Sequence, residues 1–314
     1  MYNAFMKLVI QIPCNNEQDT ILEVLKNIPK NIFGIDEIEI FVLDDGSYDL
    51  TSEIAVQNGA KVIKISPQKG LANAFRVGVK NALKNNADIL VNIDGDNQYC
   101  ASEIVKLIQP ILNDSADIVI GVRPINEIKT FSFLKKFLQK FGSLIVKLVS
   151  GLDIKDAASG FRAFNRNAML CLNIFNNFTY TIETIIQAKY KNLSVENVDI
   201  KVNEQKNRKS KLFKNDIDYI LKQAKNLIRF FIIYRPARFF IAISIVLFLI
   251  GLILGVRFLL LGASGHIQSL ILCAIILTMS FVSFMLAIVG DLFSINRKIM
   301  EDIQFELRQN KYKK

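Results

Sequence analysis

The sequence predicts an α/β protein: a doubly wound, mostly parallel sheet, followed by an interfacial helix and a two-helix transmembrane hairpin. Three observations predict it. Short apolar runs in the first part of the chain alternate with stretches of helical character, the pattern of βαβ units. Three of these runs close on polar or acidic residues at what would be one edge of the sheet, where α/β sheets collect their ligands. The last third holds two stretches long and apolar enough to cross a bilayer.

Taken in order, residues 7–13 form an apolar strand that runs into Pro13-Cys14-Asn15-Asn16-Glu17, and 20–27 read as a helix. Residues 38–43 are a second strand, ending in Asp44-Asp45-Gly46-Ser47, and 51–58 are helical. A third strand, 62–66, precedes Lys69-Gly70 and a helix over 71–85. The fourth strand, 89–93, is cut off by Asp94-Gly95-Asp96, and 118–121 is the fifth. Residues 131–149 read as a basic, apolar helix, 156–162 as a loop, 180–190 as a helix carrying Glu183, and 193–202 as strand-like. A dense basic loop follows at 206–211.

Over 216–233 the apolar residues Ile217, Ile220, Leu221, Ala224, Leu227, Ile228 and Phe231 share one helical face, with Lys222, Lys225 and Arg229 off it. Its place just before an apolar span suits a helix lying at a membrane surface. Residues 239–261 carry a single charge, Arg257, and 267–290 carry none. Arg235 and Arg238 before the first span, and Arg297 and Lys298 after the second, put both outer flanks on the cytoplasmic side by the positive-inside rule. The expected organisation is therefore a catalytic-type domain over 1–212, a juxtamembrane helix over 213–238, two transmembrane helices over 239–290 and a cytoplasmic helical tail over 291–314.

Composition narrows the chemistry. The chain has 314 residues and a net charge of +10, and its only histidine is His266, which disfavours a histidine base or a multi-histidine metal site. Cys14, Cys100, Cys171 and Cys273 are scattered, as free thiols of a reducing compartment would be. Residues 1–7 lack a basic region followed by an apolar core, so no signal peptide is expected. The excess positive charge suits nucleic acid or an anionic membrane, and the two apolar spans decide for membrane. Asp94 and Asp96, at a strand end, are hard oxygen ligands of the kind that hold a divalent cation while a substrate's phosphates complete its shell. Taken alone, an Asp-x-Asp turn can equally be a solvated loop.

Six motifs in order carry a resemblance. Ile12 to Glu17 (IPCNNE), Leu43 to Thr51 (LDDGSYDLT), Asn92 to Gln98 (NIDGDNQ), Gly121 to Arg123 (GVR), Ser159 to Phe164 (SGFRAF) and Glu183 in YTIETIIQA are similar to those of family 2 glycosyltransferases of the polyprenyl-phosphate type, the group that includes dolichol-phosphate mannosyltransferase. The resemblance implies a GT-A-type fold. It implies that Pro13, Asn16, Glu17, Asp45 and Gly46 hold the nucleotide, and that Asp94, Asp96 and Gln98 bind Mg²⁺ or Mn²⁺ on the diphosphate. It also implies that Arg123 and Lys140 meet the acceptor phosphate, that Arg162 and Glu183 line the substrate site, and that Ser210 and Lys211 belong to a loop closing over it. Arg208 departs from the pattern, standing where the family has glycine.

The activity so implied is inverting transfer of a sugar from a UDP- or GDP-linked donor to a polyprenyl phosphate at the cytoplasmic face of the plasma or inner membrane, by a multi-pass chain. The expected partners are the nucleotide sugar, the lipid phosphate and the membrane, with no nucleic acid; self-association through the transmembrane helices is left open. A lipid phosphate is already anionic and needs no general base. Two other readings stand beside it. One is transfer to a glycolipid hydroxyl, with Glu183 or Asp156 as base. The other is a catalytically inactive membrane module assisting a flippase.

Overall fold

A computed structural model describes residues 5–128, 133–175, 179–203, 225, 229, 232–262 and 267–313. Two compact units are distinguished: Met1–Ile220 with Leu307–Lys314, and Leu221–Glu306.

The first unit is built on a seven-stranded sheet. Its strands are β1 (Lys7–Cys14), β2 (Glu37–Asp44), β3 (Lys61–Lys64), β4 (Ile89–Asn92), β5 (Ile118–Val122), β6 (Arg162–Asn165) and β7 (Val195–Asp199), in the spatial order β3-β2-β1-β4-β6-β5-β7. β1 pairs in parallel with β2 on one side and β4 on the other, and β2 carries β3 at the edge. The centre is apolar on both faces: from Leu8 to Cys14 every residue of β1 is buried, as in a sheet covered on both sides. The edge strand β3, KVIK, keeps both lysines exposed, which discourages further pairing.

The sheet is mostly parallel, as expected, with one antiparallel strand. β6 lies antiparallel between β4 and β5, in a stretch read from sequence as loop into 162. Arg162 opens it, and an arginine heading a four-residue strand gives no local signal; β4 and β5 supply the pairing. Two further helices were also not read from sequence. α4 (Ile104–Leu112) contains Pro110 and follows a 3-10 turn at Ala101–Glu103. The short α6 (Arg166–Cys171) is capped by Asn165, whose side chain accepts from the Ala168 N–H at 2.8 Å.

The other helices of this unit are α1 (Ile21–Asn27), α2 (Thr51–Gln57), α3 (Leu71–Lys84), α5 (Phe133–Ser150) and α7 (Thr181–Tyr190). α3 turns Ala74, Phe75, Gly78 and Ala82 inward at helical spacing. α7 is buried all round from Thr181 to Ala188 although it carries Glu183, Thr184 and Gln187. Each of these polar side chains is hydrogen-bonded, as burial demands. Residues of the C-terminal segment belong to the same unit: Arg308 donates to the carbonyls of Leu170 and Leu172, closing the end of α6.

The second unit contains α8 (Pro236–Leu260) and most of α9 (Ile267–Lys311). Proline at the first position of α8 starts the helix at no cost in hydrogen bonds. Both helices are long and apolar enough to cross a membrane. The tail is helical, as expected, and one helix of 45 residues runs through the second span and on to Lys311. Buried residues recur along α9 every seven positions, at Cys273, Ser280, Ala287, Ser294 and Glu301. Small residues let α8 and α9 approach closely: Ser244 Oγ donates to the Ser280 carbonyl and Ser280 Oγ to the Ser244 carbonyl, each at 2.9 Å. A Cβ on Gly251 would meet Leu277 Cδ2 at 2.7 Å. Of the interfacial helix expected over 216–233, only Lys225, Arg229 and residues 232–233 are described, and all four are helical.

Candidate active site

The crossover order places a switch point between β1 and β4: the chain leaves β1 toward β2 and β3, then returns to the other side of β1 for β4. Ligands of open α/β sheets bind outside the carboxyl ends of strands at such a point. The ends of β2, β1 and β4 meet there, bringing Asp44-Asp45-Gly46, Pro13 to Glu17, and Asp94 to Gln98 to one edge.

Asp94 stands at the centre. The residue keeps a little surface, but its Oδ1 is enclosed and accepts no hydrogen bond from the protein. Burial, reinforced by the charges of Asp96 and Glu17 and opposed by Arg123, pushes its carboxyl up to about 7. Asp96 turns back to accept from the Gln98 N–H at 3.1 Å, and the Gln98 carbonyl accepts from Asn203 N at 3.0 Å. Between the two acids, Gly95 is pressed against β1: a Cβ there would come within 2.6 Å of Cys14 Sγ. Thr20 Oγ1 donates to the Gly95 carbonyl at 2.8 Å, tying the turn to the head of α1.

The donor-side residues form a second layer. Asn16, at φ 57°, donates its N–H to Ser47 Oγ and accepts from Tyr48 N, each at 3.0 Å. Glu17 N donates to Thr51 Oγ1 at 2.8 Å. Asp45 directs both carboxylate oxygens at the backbone, accepting from Lys69 N at 2.9 Å and Gly70 N at 2.8 Å, the N-cap of α3. Asp44, not singled out from sequence, accepts from Ser47 N at 2.7 Å and from Ser52 Oγ. Gly46 makes the intervening turn at φ 80°, a left-handed conformation that a side chain would strain.

Three residues expected to meet substrate also make hydrogen bonds within the protein. Arg162 is fully buried and donates to the carbonyls of Ser159, Thr181 and Ala157 and to Thr184 Oγ1, so it braces the loop before β6 and offers no exposed donor. Glu183 is buried and accepts from Phe175 N at 3.0 Å. Arg123 is buried and grips Asp156 side-on, Nε to Oδ2 at 2.7 Å and Nη2 to Oδ1 at 3.0 Å. Lys140 lies exposed on α5, which also exposes Phe137, Phe141, Leu144 and Leu148. Arg208, Ser210 and Lys211 lie outside the described residues.

A family model described as glycosyl transferase family 2 matches residues 9–172, just over half of the chain and all the strand ends just described. The chain belongs to glycosyl transferase family 2. It is 33% identical over 212 residues to a UDP-N-acetylglucosamine–dolichyl-phosphate N-acetylglucosaminyltransferase of Methanococcus voltae, covering 60% of this chain and 83% of the relative. With the dolichol-phosphate mannosyltransferase of Pyrococcus furiosus it shares 32% identity over 194 residues, 59% of this chain and 54% of that one. Among solved structures, glucosyl-3-phosphoglycerate synthase from Mycobacterium tuberculosis in complex with Mn²⁺, UDP and glucosyl-3-phosphoglycerate superposes with a TM-score of 0.54. At 20% identity, covering 72% of this chain and 79% of that one, this likeness shows the GT-A fold.

The glycosyltransferase site fits a divalent cation by its own chemistry. An enclosed carboxylate oxygen without a protein partner, on a group whose ionisation its acidic neighbours oppose, is stabilised by a positive ion. Among the described residues no group of three acidic, thiol or imidazole side chains forms a ready cage. That suits an ion held by one or two carboxylates and completed by substrate phosphates.

Several residues that build the site were not read from sequence: Asn92, Tyr99, Gly160 and Tyr180. Asn92 carried a legible signal, being the lone amide in the apolar run 89–93. Tyr180 opens the motif YTIETIIQA and Tyr99 follows NIDGDNQ, but neither sequence context assigns the hydroxyl a partner.

Proposed function

We propose that this transferase moves a sugar, with inversion, from a UDP- or GDP-linked donor to a polyprenyl phosphate at the cytoplasmic face of a membrane. The observation that carries the reading is the Asp94–Asp96 pair at the β1/β4 switch point, with Asp94 Oδ1 left for a cation, in a chain that also holds two membrane-length apolar helices. Relatives named for dolichyl-, dolichol- and undecaprenyl-phosphate acceptors support the lipid phosphate.

In this reading Asp94 and Asp96, with Gln98 beside them, hold Mg²⁺ or Mn²⁺, which when bound neutralises charge on the departing nucleoside diphosphate. Pro13, Asn16, Glu17 and the turn at Asp45-Gly46 shape the donor side. Arg123 and Lys140 attract and orient the acceptor phosphate, with Ser210 and Lys211 contributing. The acceptor oxygen is anionic at neutral pH, so no side chain need remove a proton. Asp156, the alternative base, is enclosed and bonded through both oxygens to Arg123, which favours the phosphate acceptor over a hydroxyl.

The test is to incubate the full chain, reconstituted in vesicles, with polyprenyl phosphate and a panel of labelled UDP- and GDP-sugars. Transfer of label to the lipid is expected for one donor. Transfer only to a neutral glycolipid would replace the phosphate reading with the hydroxyl one.

A further inference from the structure

The backbone of Gly160 is held by three residues from separate parts of the chain. Its carbonyl accepts from Asn92 Nδ2 and from Tyr180 Oη, each at 2.9 Å, and its N–H donates to Tyr99 Oη at 3.0 Å. Asn92 also donates to Tyr180 Oη at 2.7 Å, and its own Oδ1 accepts from Gln11 Nε2 at 2.9 Å. All three holding residues are buried, and the two tyrosine rings are fixed: Tyr180 stacks on Phe75 at 3.9 Å between centroids, and Tyr99 packs on Phe161 at 5.3 Å.

What this grip holds is a wall. A Cβ built on Gly160 would lie 3.0 Å from Asp94 Oδ2 and 3.1 Å from Oδ1. The glycine therefore faces both oxygens of the carboxylate, at a distance where a side chain would force the carboxylate to give by a few tenths of an ångström. A free loop would not keep that spacing. Gly160 has no side chain with which to anchor itself, and the hydrogen bonds to its peptide do so instead.

We propose that Asn92, Tyr99 and Tyr180 are positioning residues that fix the Gly160 peptide against the Asp94 carboxylate and so set the affinity of the site for a divalent cation. The proposal rests on the reading of Asp94 as a cation ligand. It assigns to three residues, none of which touches the ion, the work of orienting one that does; outer partners of metal ligands commonly change metal affinity by about 10- to 100-fold when removed.

The experiment measures Mn²⁺ binding to the full chain in detergent by electron paramagnetic resonance, without substrate, alongside the thermal midpoint. Tyr180→Phe and Tyr99→Phe keep the rings and remove only the hydroxyls. Each is expected to weaken Mn²⁺ binding about tenfold. Gly160→Ala, which sets a methyl against Asp94, is expected to weaken it further. Ile108→Val, in the core of α4, supplies a comparable loss of stability away from the site and should leave Mn²⁺ affinity unchanged. Tyrosine variants that fold and bind Mn²⁺ as tightly as the wild type would overturn the positioning role while leaving the cation site intact. So would an Ile108→Val chain that loses as much affinity as they do. A wild-type chain that binds no Mn²⁺, whether or not UDP or GDP is added to complete its shell, would overturn both this role and the cation reading beneath it. If either tyrosine variant fails to fold, the other and Gly160→Ala decide.

Discussion

Arg123 and Asp156 meet side-on in a buried pair, with both carboxylate oxygens accepting from the guanidinium at 2.7 and 3.0 Å. The pair joins the end of β5 to the loop that leads into β6, beside Asp94. Removing one partner leaves a buried charge uncompensated. Arg123→Ala should therefore cost about 3–5 kcal/mol of stability. The double change with Asp156→Ala should cost less than the sum of the singles, by about 1–3 kcal/mol. Denaturant titration of the four proteins checks this.

If Arg123 also meets the acceptor phosphate, its loss should raise the acceptor KM roughly ten- to a hundredfold, the worth of a charge-assisted hydrogen bond. Asp156→Ala should not do so, and donor KM should change little in either. Arg123→Lys should recover only part, because lysine lacks the planar fork. Steady-state kinetics against both substrates separates these outcomes; an unchanged acceptor KM and kcat in Arg123→Ala would remove the phosphate contact.

Asp96→Asn keeps the shape of the turn and deletes an anionic ligand. It should remove most turnover, and chelation by EDTA should do the same to the wild type, with recovery on adding Mn²⁺ or Mg²⁺. Wild-type turnover in excess EDTA would refute the cation requirement.

Asp94 gives a pH dependence with a definite sign. Its carboxyl sits at about 7 in the folded chain against 3.8 ordinarily, so between these values the folded state binds the extra proton. Without metal, Asp94 therefore supports the fold at low pH, and that support is lost as pH rises toward 7, by a few kcal/mol (order of magnitude). The EDTA-treated wild type should lose more stability from pH 5 to pH 8 than Asp94→Asn, which cannot ionise there. Equal losses in the two proteins would contradict the shift.

The α8–α9 pair should depend on its small residues. Gly251→Val places a branched side chain where even a Cβ lies 2.7 Å from Leu277, and overpacking of this kind costs about 1–3 kcal/mol. Ser244→Ala and Ser280→Ala each remove one of two reciprocal hydrogen bonds and should cost about 0.6 kcal/mol apiece. Unfolding of the purified protein in detergent reads both.

For topology, reporters fused after residue 314 and within 262–265 should report opposite sides of the membrane. α9 is about 68 Å long at 1.5 Å per residue, roughly twice the hydrocarbon core, so its second half should emerge on the side of the C-terminus. Matching reports would rule out the hairpin.

The sequence by itself determined the alternation of strands and helices, the two apolar helices, and the acidic strand ends that form the site. These are local properties: an apolar run of strand length, a Gly or Asp that ends it, a span with too few charges to stay in water. Nearest-neighbour chemistry is enough to read Asp94-Gly95-Asp96 as the end of a strand.

Only the tertiary structure shows which partners the surrounding polar residues take. Arg162, Glu183 and Asp45 are expected as substrate contacts only through the motifs they share with family 2 glycosyltransferases. Yet Arg162 spends its donors on Ala157, Ser159, Thr181 and Thr184, and Asp45 spends both oxygens on Lys69 and Gly70. Likewise β6 is a strand because β4 and β5 leave a gap with unpaired edges on both sides, and it runs antiparallel because the chain enters that gap from the site end. A buried polar group must find a partner wherever the fold places one, and that partner can stand at any separation in sequence. Gly160 shows the consequence: 68 residues separate it from Asn92, and only folding brings the two within hydrogen-bonding distance beside Asp94.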